Sequence, residues 1–530
     1  MRSTLGFFAL AAALIIAAWA YLGSPIAMPQ APLAPGDKLH CISYSPFRDN
    51  QSPLSGPITI EAWQIEKDFA RLAQLTRCVR TYSTEFGLDR VADVAKRHGL
   101  KVIQGLWLSS DPVKNKNQIE STIALANKFP ETIEAIVVGN EVLLRGEISG
   151  DDLAGIIRAV KARVSVKVTY ADVWEFWLRF PQLFGAVDFI TIHILPYWED
   201  FPIPADRAGA HVEAIRKKVA DAYPGKEILI GEVGWPSAGR MREGALPSPD
   251  NQARVVQDVL AFAKRDNIAV NVIEAFDQPW KRKLEGTVGG HWGIFDNDTR
   301  EPKFIWGEAV SNHPHWRAQA IFGVLLAAAV FAAQFFARGN RKADWKELCA
   351  IALIAAACGV TSGWAIENMM FESLGIGGWI RSCALVLTAV AAPVLGAAMI
   401  ASGQPIPVLA TILNPRAWPS SRLVLVYGAT LIVVLSLALQ VTLVLVFDPR
   451  YRDFPFAPLT AAILPFAVHG LVCTGAGMRG AAELATAAIL ALSVVYIVPN
   501  ETLANWQSLW TCAAAVAFAI TLARVRGAPN

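Results

Sequence analysis

Two stretches decide the fold: EAIVVGNE (134–141) and EILIGEV (227–233). Each is a short aliphatic run that turns polar at its C-terminal end, at Asn140–Glu141 and at Glu232. A run of this length without polar alternation reads as a strand buried on both faces, as in a parallel sheet covered by helices. Six more runs share the pattern: LHCISY (39–44), CVRTY (78–82), KVIQGLW (101–107), VKVTYAD (166–172), VDFITIHI (187–194) and VNVIEAF (270–276). Amphipathic segments lie between them. These are Ile65 to Leu75, Gly87 to His98 closed by Gly99, Asp151 to Val164 with Ser149 or Asp151 as cap, and Asp250 to Arg265. Eight strands, each followed by a helix or long loop over residues 37–315, predict an α/β fold, a (β/α)8 TIM barrel of the usual size of about 250 residues. A doubly wound open sheet is the alternative, but no Gly-rich phosphate loop opens a helix here.

A barrel gathers the C-terminal ends of its strands at one mouth. Strand four delivers Asn140 and Glu141, and strand seven delivers Glu232. Paired carboxylates are what glycoside hydrolysis needs, one to protonate the leaving oxygen and one to attack the anomeric carbon. The other strand ends are rich in rings. Tyr44, Tyr82 and Trp107 end the first three strands, strand six adds His193, Tyr197 and Trp198, and Trp235 follows Glu232. Strand eight adds Phe276, Asp277, Trp280 and Lys281. Aromatic faces stack on pyranose rings while polar side chains orient hydroxyls, so these residues are the expected substrate-binding set. Trp174 and Trp177 sit in a helical pattern away from the strand ends and are expected to be core. Asp296 and Asp298 form a DxD pair that reads as a turn.

Outward from the barrel the composition changes. The chain of 530 residues is 53% hydrophobic and 18% charged, against about 45–50% and about 25% in soluble proteins. The excess lies beyond residue 316, in seven expected spans at 318–336, 348–366, 382–402, 423–446, 457–475, 481–498 and 505–523. An apolar run from Leu5 to Leu22 is a signal anchor or signal peptide, its length favouring an uncleaved anchor over residues 1–24. Residues 25–36 are a Pro-rich linker. Arg338, Arg341, Lys342, Lys346, Arg416, Arg422, Arg479, Arg524 and Arg526 fall on one side of the spans, and Arg450 and Arg452 on the other, with Arg381 at a span boundary there. By the positive-inside rule this puts both termini in the cytoplasm and the barrel outside it. Glu483, near a span start, is expected at a solvated end.

Net charge is +3, which gives no electrostatic footprint for nucleic acid. Seven cysteines make no disulfide scaffold, and no CxxC pair or Cys/His cluster marks a metal site. No cofactor is expected. Cys41 and Cys78 lie in the barrel region; they are able to bridge in an oxidising compartment, but their spacing does not demand it, and two buried thiols are the expectation.

GNEV (139–142) and GEVGWPS (231–237) resemble the two signature segments of glycoside hydrolase family 17, the β-1,3-glucanases and β-glucan transglycosylases. HWGIFDNDTREPKF (291–304) is similar to that family's closing stretch. The resemblance spans the whole soluble region. It implies a retaining mechanism on β-glucan with Glu141 as acid/base, Glu232 as nucleophile and Asn140 on the sugar 2-hydroxyl. It also implies that Tyr197 orients the nucleophile and that the pKa of Glu141 is raised, partly by the charge of Glu232. ISYSPFRDNQSP and LTRCVRTYS are similar to a membrane-bound bacterial branch that includes the rhizobial β-(1→6)-glucan synthases. That likeness implies a multi-pass protein of the bacterial inner membrane with a periplasmic catalytic domain.

Water on a glycosyl-enzyme gives hydrolysis, and a sugar hydroxyl gives transglycosylation. The seven spans favour a remodeller working in the bilayer beside a separate membrane glucan synthase or exporter. The inside loops are too short to hold a nucleotide-sugar domain. A tethered β-1,3-glucan hydrolase is the enzymatic alternative. A glucan-binding sensor or export accessory is the non-enzymatic one, and the pair of glutamates speaks against it.

Overall fold

The computed structural model describes residues 2–473, 475, 477 and 479–526. Met1, Thr474, Ala476, Met478 and residues 527–530 lie outside the described residues; they fall in the expected anchor, the end of the 457–475 span, the loop after it and the tail. The chain forms two compact units.

The first unit comprises Ile26–Ala238 and Gly244–Val310. Its strands are β1 (Cys41–Ser43), β2 (Cys78–Arg80), β3 (Lys101–Leu106), β4 (Ile133–Asn140), β5 (Lys167–Val173), β6 (Ile190–His193), β7 (Ile228–Val233) and β8 (Ala269–Val272). All pairings are parallel, and β8 pairs with β1 to close the barrel. Each of the eight strands lies within one residue of its expected run, because a buried parallel strand advertises itself by apolar continuity. The longest discrepancy is at β8. Its ladder ends at Val272, and Phe276 bridges Phe295 in the closing segment instead.

The helices follow their start and stop signals. Ser149 accepts from the Asp152 amide and caps Gly150–Lys161, and Ser248 caps Pro249–Arg265 by accepting from the Asn251 amide. Their apolar faces bury Leu153, Ile157, Val255 and Val259 against the strands. Trp177 is fully buried and donates to the Thr191 carbonyl, so it is core, as expected of it. Asp296 accepts from the amides of Asp298 and Thr299 in a turn.

Cys41 and Cys78 form a disulfide between β1 and β2, where the sequence favoured two buried thiols. The strands pair one residue further on, Ile42 with Val79, which brings the two Cα atoms within 4.4 Å. Sequence spacing carries no trace of that register. The bridge sits in an apolar cluster with Ile103, Val137, Ala171, Phe189 and Leu229 that fills the interior near the strand starts.

The second unit comprises Met1–Pro25, Gly239–Glu243 and Ser311–Asn530. Seven of its helices are long and apolar enough to cross a membrane: Arg2–Leu22, Trp316–Ala337, Trp345–Glu372, Gly375–Ser402, Arg422–Phe447, Ala481–Glu501 and Trp506–Arg524. Phe456–Val472 is a shorter apolar helix. Ala11, Ile15 and Trp19 of the first helix are buried against Ala327, Ile351 and Ile354. Arg240 donates to both carboxylate oxygens of Glu501 at 2.6 Å, and both side chains are under one-tenth exposed. Glu483 is not at a solvated end. It is 1% exposed and its Oε1 accepts from the Leu409 amide at 2.6 Å, because Leu409–Leu413 folds over the first turn of Ala481–Glu501.

Candidate active site

Glycines shape both signature segments. Gly139 has φ +86°, and a Cβ there would lie 2.7 Å from Val142, so only glycine fits. The β4–β5 register shifts over Val137–Asn140, and Glu141 follows with φ +52°. A non-glycine residue in the left-handed region is uncommon and collects at functional sites. Here it turns Glu141 out of the strand. On β7, a Cβ at Gly231 would lie 2.3 Å from the Thr191 side chain and 3.3 Å from Arg80. Its absence lets Arg80 reach the Gly231 carbonyl at 2.6 Å.

Arg80 is the residue that the sequence reading missed, and it organises the site. It is fully buried on β2. Nη1 donates to Glu232 Oε1 at 3.3 Å, and Nη2 donates to Asn140 Oδ1 at 2.6 Å. Its guanidinium lies 4.8 Å from the Tyr82 ring centroid. A charge inside an otherwise apolar strand, CVRTY, was the available signal. A buried cation is kept only where partners compensate its lost hydration, and Glu232 and Asn140 supply them.

Tyr82 donates to Glu232 Oε1 at 2.9 Å and shares a hydrogen bond of 2.7 Å with Ser43. Tyr82 and Arg80 thus both hold Oε1, the same oxygen of the Glu232 carboxylate. Oδ1 of Asn140 is committed to Arg80, so any further hydrogen bond from its NH2 group is a donation. His193, paired with Glu232 in the β6–β7 register, places Nδ1 2.8 Å from Glu141 Oε1. Glu141, His193 and Glu232 each offer an atom, and these all lie within 4.8 Å of one another. The three side chains could gather round a cation as well as round a sugar.

Burial pushes the Glu141 carboxyl up, but the His193 hydrogen bond, helped by Arg145 and Arg80, holds it below its ordinary value. The expected rise is therefore reversed in direction, and the cause is a donor that the sequence did not place beside it. Burial raises Asp172 to about 6 and Glu274 to about 7, although Tyr170 and Lys281 respectively pull them down.

The expected sugar-binding residues divide. Tyr44, Tyr197, Trp235 and Phe276 are at most 1% exposed and pack in the wall, so they present no face to a sugar. Tyr44 donates to Asp68 and Trp235 to the Leu246 carbonyl, while Phe276 lies under the Arg300 guanidinium. Asp277 accepts from Lys303 at 2.6 Å and from the Gly293 amide at 2.9 Å, fastening the closing segment rather than facing the mouth. These residues adjoin strand ends in sequence, but a strand turns alternate side chains into wall and interior. Tyr82, Trp198, Trp280 and Lys281 remain partly exposed. Lys281 pairs with Glu274 at 2.8 Å. Trp107 is 38% exposed and is braced by Arg145 at 4.4 Å, which makes it the most open ring of the set.

A parallel eight-stranded barrel with two glutamates side by side at the ends of β4 and β7 has the architecture of a glycoside hydrolase. Residues 41–293 match the family model of the BtgE/BtgC glycoside hydrolase domain. The chain is 29% identical over 225 residues to the probable beta-glucosidase btgE of Neosartorya fischeri, covering 41% of this chain and 40% of that one. It is 29% identical over 265 residues to a glucan 1,3-beta-glucosidase of Arthroderma benhamiae, covering 45% of this chain and 82% of that one. The chain thus spans about two fifths of the length of the btgE relative. Among solved structures it is similar to a glycoside hydrolase family 17 beta-1,3-glucanosyltransferase of Rhizomucor miehei, at 28% identity and a TM-score of 0.44 over 50% of this chain and 97% of that one.

Proposed function

We propose that the protein is a membrane-anchored retaining β-glucan transglycosylase. It cleaves β-1,3-glucan through a glycosyl-enzyme and transfers the glycosyl unit to another glucan, elongating it or branching it through β-1,6 linkage. The observation that carries this reading is the closeness of the Glu141 and Glu232 carboxylates, whose offered oxygens lie within 4.8 Å. Retaining enzymes hold their pair about 5–5.5 Å apart, whereas inverting enzymes need about 6.5–9.5 Å to seat a water.

In the first step Glu232 Oε2 forms a bond to the anomeric carbon as the glycosidic C–O bond breaks, and Glu141 gives its proton to the departing oxygen. In the second step Glu141, now a carboxylate, takes the proton of an acceptor hydroxyl. That oxygen bonds to the anomeric carbon, and the ester to Glu232 breaks. Both residues return to their starting state. Asn140 donates to the sugar 2-hydroxyl, and Trp107, Trp198 and Trp280 stack on rings on either side of the cleaved bond.

The membrane reading takes residues 1–24 as anchor, 25–36 as linker, 37–315 as catalytic domain and 316–530 as spans. It places the barrel in the periplasm of a bacterial inner membrane, where a separate glucan synthase or exporter supplies the chains. The positive-inside bias and the Cys41–Cys78 bridge support it, since disulfides persist in oxidising compartments. A tethered β-1,3-glucan hydrolase is the second reading, favoured by the name of the Arthroderma relative.

The test incubates the detergent-solubilised full chain with laminaritriose and longer β-1,3-gluco-oligosaccharides, with Glu232→Gln as blank. Mass spectrometry and NMR follow product size, linkage and anomeric configuration. Products longer than the substrate, with β-configuration retained, are expected. Only shorter products would replace this reading by the hydrolase, and inverted products would overturn the mechanism.

A further inference from the structure

His193 belongs to neither half of the carboxylate pair, yet it is fully buried between them. Its Nε2 faces Arg80 Nη1 at 3.3 Å and Nη2 at 3.4 Å. A guanidinium only donates and lies nearer than Glu232 Oε1 at 3.5 Å, so Nε2 is assigned as the acceptor and the ring proton to Nδ1. Nδ1–H therefore donates to Glu141 Oε1 at 2.8 Å. With Oε1 occupied, Oε2 is the oxygen left to exchange a proton with the sugar. The arrangement mirrors Glu232, whose Oε1 is held by Tyr82 and Arg80.

We infer that His193 is a positioning residue for the acid/base. Its tautomer, set by Arg80, pins Oε1 of Glu141 and aims Oε2 at the glycosidic oxygen. The inference rests on the proposed roles of Glu141 and Glu232. The other charged or titratable groups around Glu141 include Glu232, Arg145, Arg80, Asp172, Tyr170 and Glu285. Arg145 and Arg80 support the carboxylate form, and the carboxylates of Glu232, Asp172 and Glu285 oppose it. Among the described residues His193 is the one side chain within hydrogen-bond distance of Oε1, so removing it takes away the donor on that atom.

The experiment compares wild type, His193→Leu and His193→Asn in the detergent-solubilised full chain. Asn is chosen because its amide N–H can stand where Nδ1–H stands. The pH profile of kcat/KM is measured with laminaritriose and with a 2,4-dinitrophenyl β-glucoside, whose leaving group needs no proton. In His193→Leu the alkaline limb, which reports the proton on Glu141, is expected to move up by about one unit. The activity ratio of the dinitrophenyl substrate to laminaritriose is expected to rise about tenfold, within the range that general-acid catalysis spans. His193→Asn is expected to restore both. An unmoved limb, or equal losses on the two substrates, would overturn the inference and assign His193 to packing alone. His193→Ala replaces the leucine variant if that one does not fold. Glu141→Gln is run alongside. If it keeps the alkaline limb and full activity on laminaritriose, the assignment of Glu141 itself fails, a result separate from any outcome at His193.

Discussion

Replacing Cys41 and Cys78 by alanine, singly and together, separates a bridge from two buried thiols. The bridge spans a sequence separation of 37, which in the chain-entropy model is worth about 4 kcal/mol at 25 °C. Each Cys→Ala change also removes one buried sulfur from the apolar cluster, at about 1 kcal/mol. A single variant already loses the whole bridge. Each single should then cost about 5 kcal/mol and the double only about 6 kcal/mol, an interaction of about 4 kcal/mol between the sites. For a barrel unit of about 280 residues the unfolding entropy near the midpoint is about 0.6 kcal/mol/K, so the melting temperature should fall by about 8 °C in either single and about 10 °C in the double. Independent thiols would instead give about 1.7 °C for each single and about 3.4 °C for the double, adding simply. Differential scanning fluorimetry of the detergent-solubilised chain reads the shifts. Thiol titration in denaturant without reductant gives a second readout: five of the seven cysteines should react. Seven reactive thiols with additive shifts would refute the bridge.

Glu141→Ala should lower laminaritriose turnover by about 10²–10⁴-fold, with partial rescue by azide as a β-glucosyl azide visible by NMR; rescue with α-configuration would contradict the assigned faces. Arg80→Met should cost about 3–5 kcal/mol in thermal or denaturant unfolding, because it leaves Glu232 buried without its cation; a loss under about 1 kcal/mol would mean that Arg80 does not compensate that charge. Stability should rise as the pH falls from about 7 to about 4. Asp68, Asp172 and Glu274 have carboxyls raised to about 6, 6 and 7 by burial, so in this window the folded state binds more protons than the unfolded state. Their contribution is fully present below the unfolded values near 4 and is lost as pH rises through the folded ones. It is on the order of 1–3 kcal/mol for each group. Melting temperatures across that range test the sign, and a monotonic fall on acidification would contradict it.

The barrel and its two glutamates were legible because both depend on local signals. Apolar continuity marks a strand covered on both faces, and a strand that ends in a carboxylate delivers it to the barrel mouth whatever the neighbours are. The long apolar helices are legible for the same reason, since spanning length is a local property. Which side chains surround the glutamates is decided by register and by closure. Arg80 on β2 reaches Asn140 on β4 and Glu232 on β7 only across the closed interior. His193 meets Glu141 only because β6 stands two strands from β4 around the ring. The Cys41–Cys78 bridge needs the Ile42–Val79 register. Tyr44, Trp235 and Phe276 look like cleft residues in the sequence, but the tertiary structure turns them into the wall, because inward and outward positions alternate along a strand and exposure depends on what packs outside it. The sequence by itself determined the barrel, the apolar helices and the pair of carboxylates. The tertiary structure decided how those carboxylates are held and what sets their protons, since hydrogen bonds between distant strands exist only once the barrel has closed.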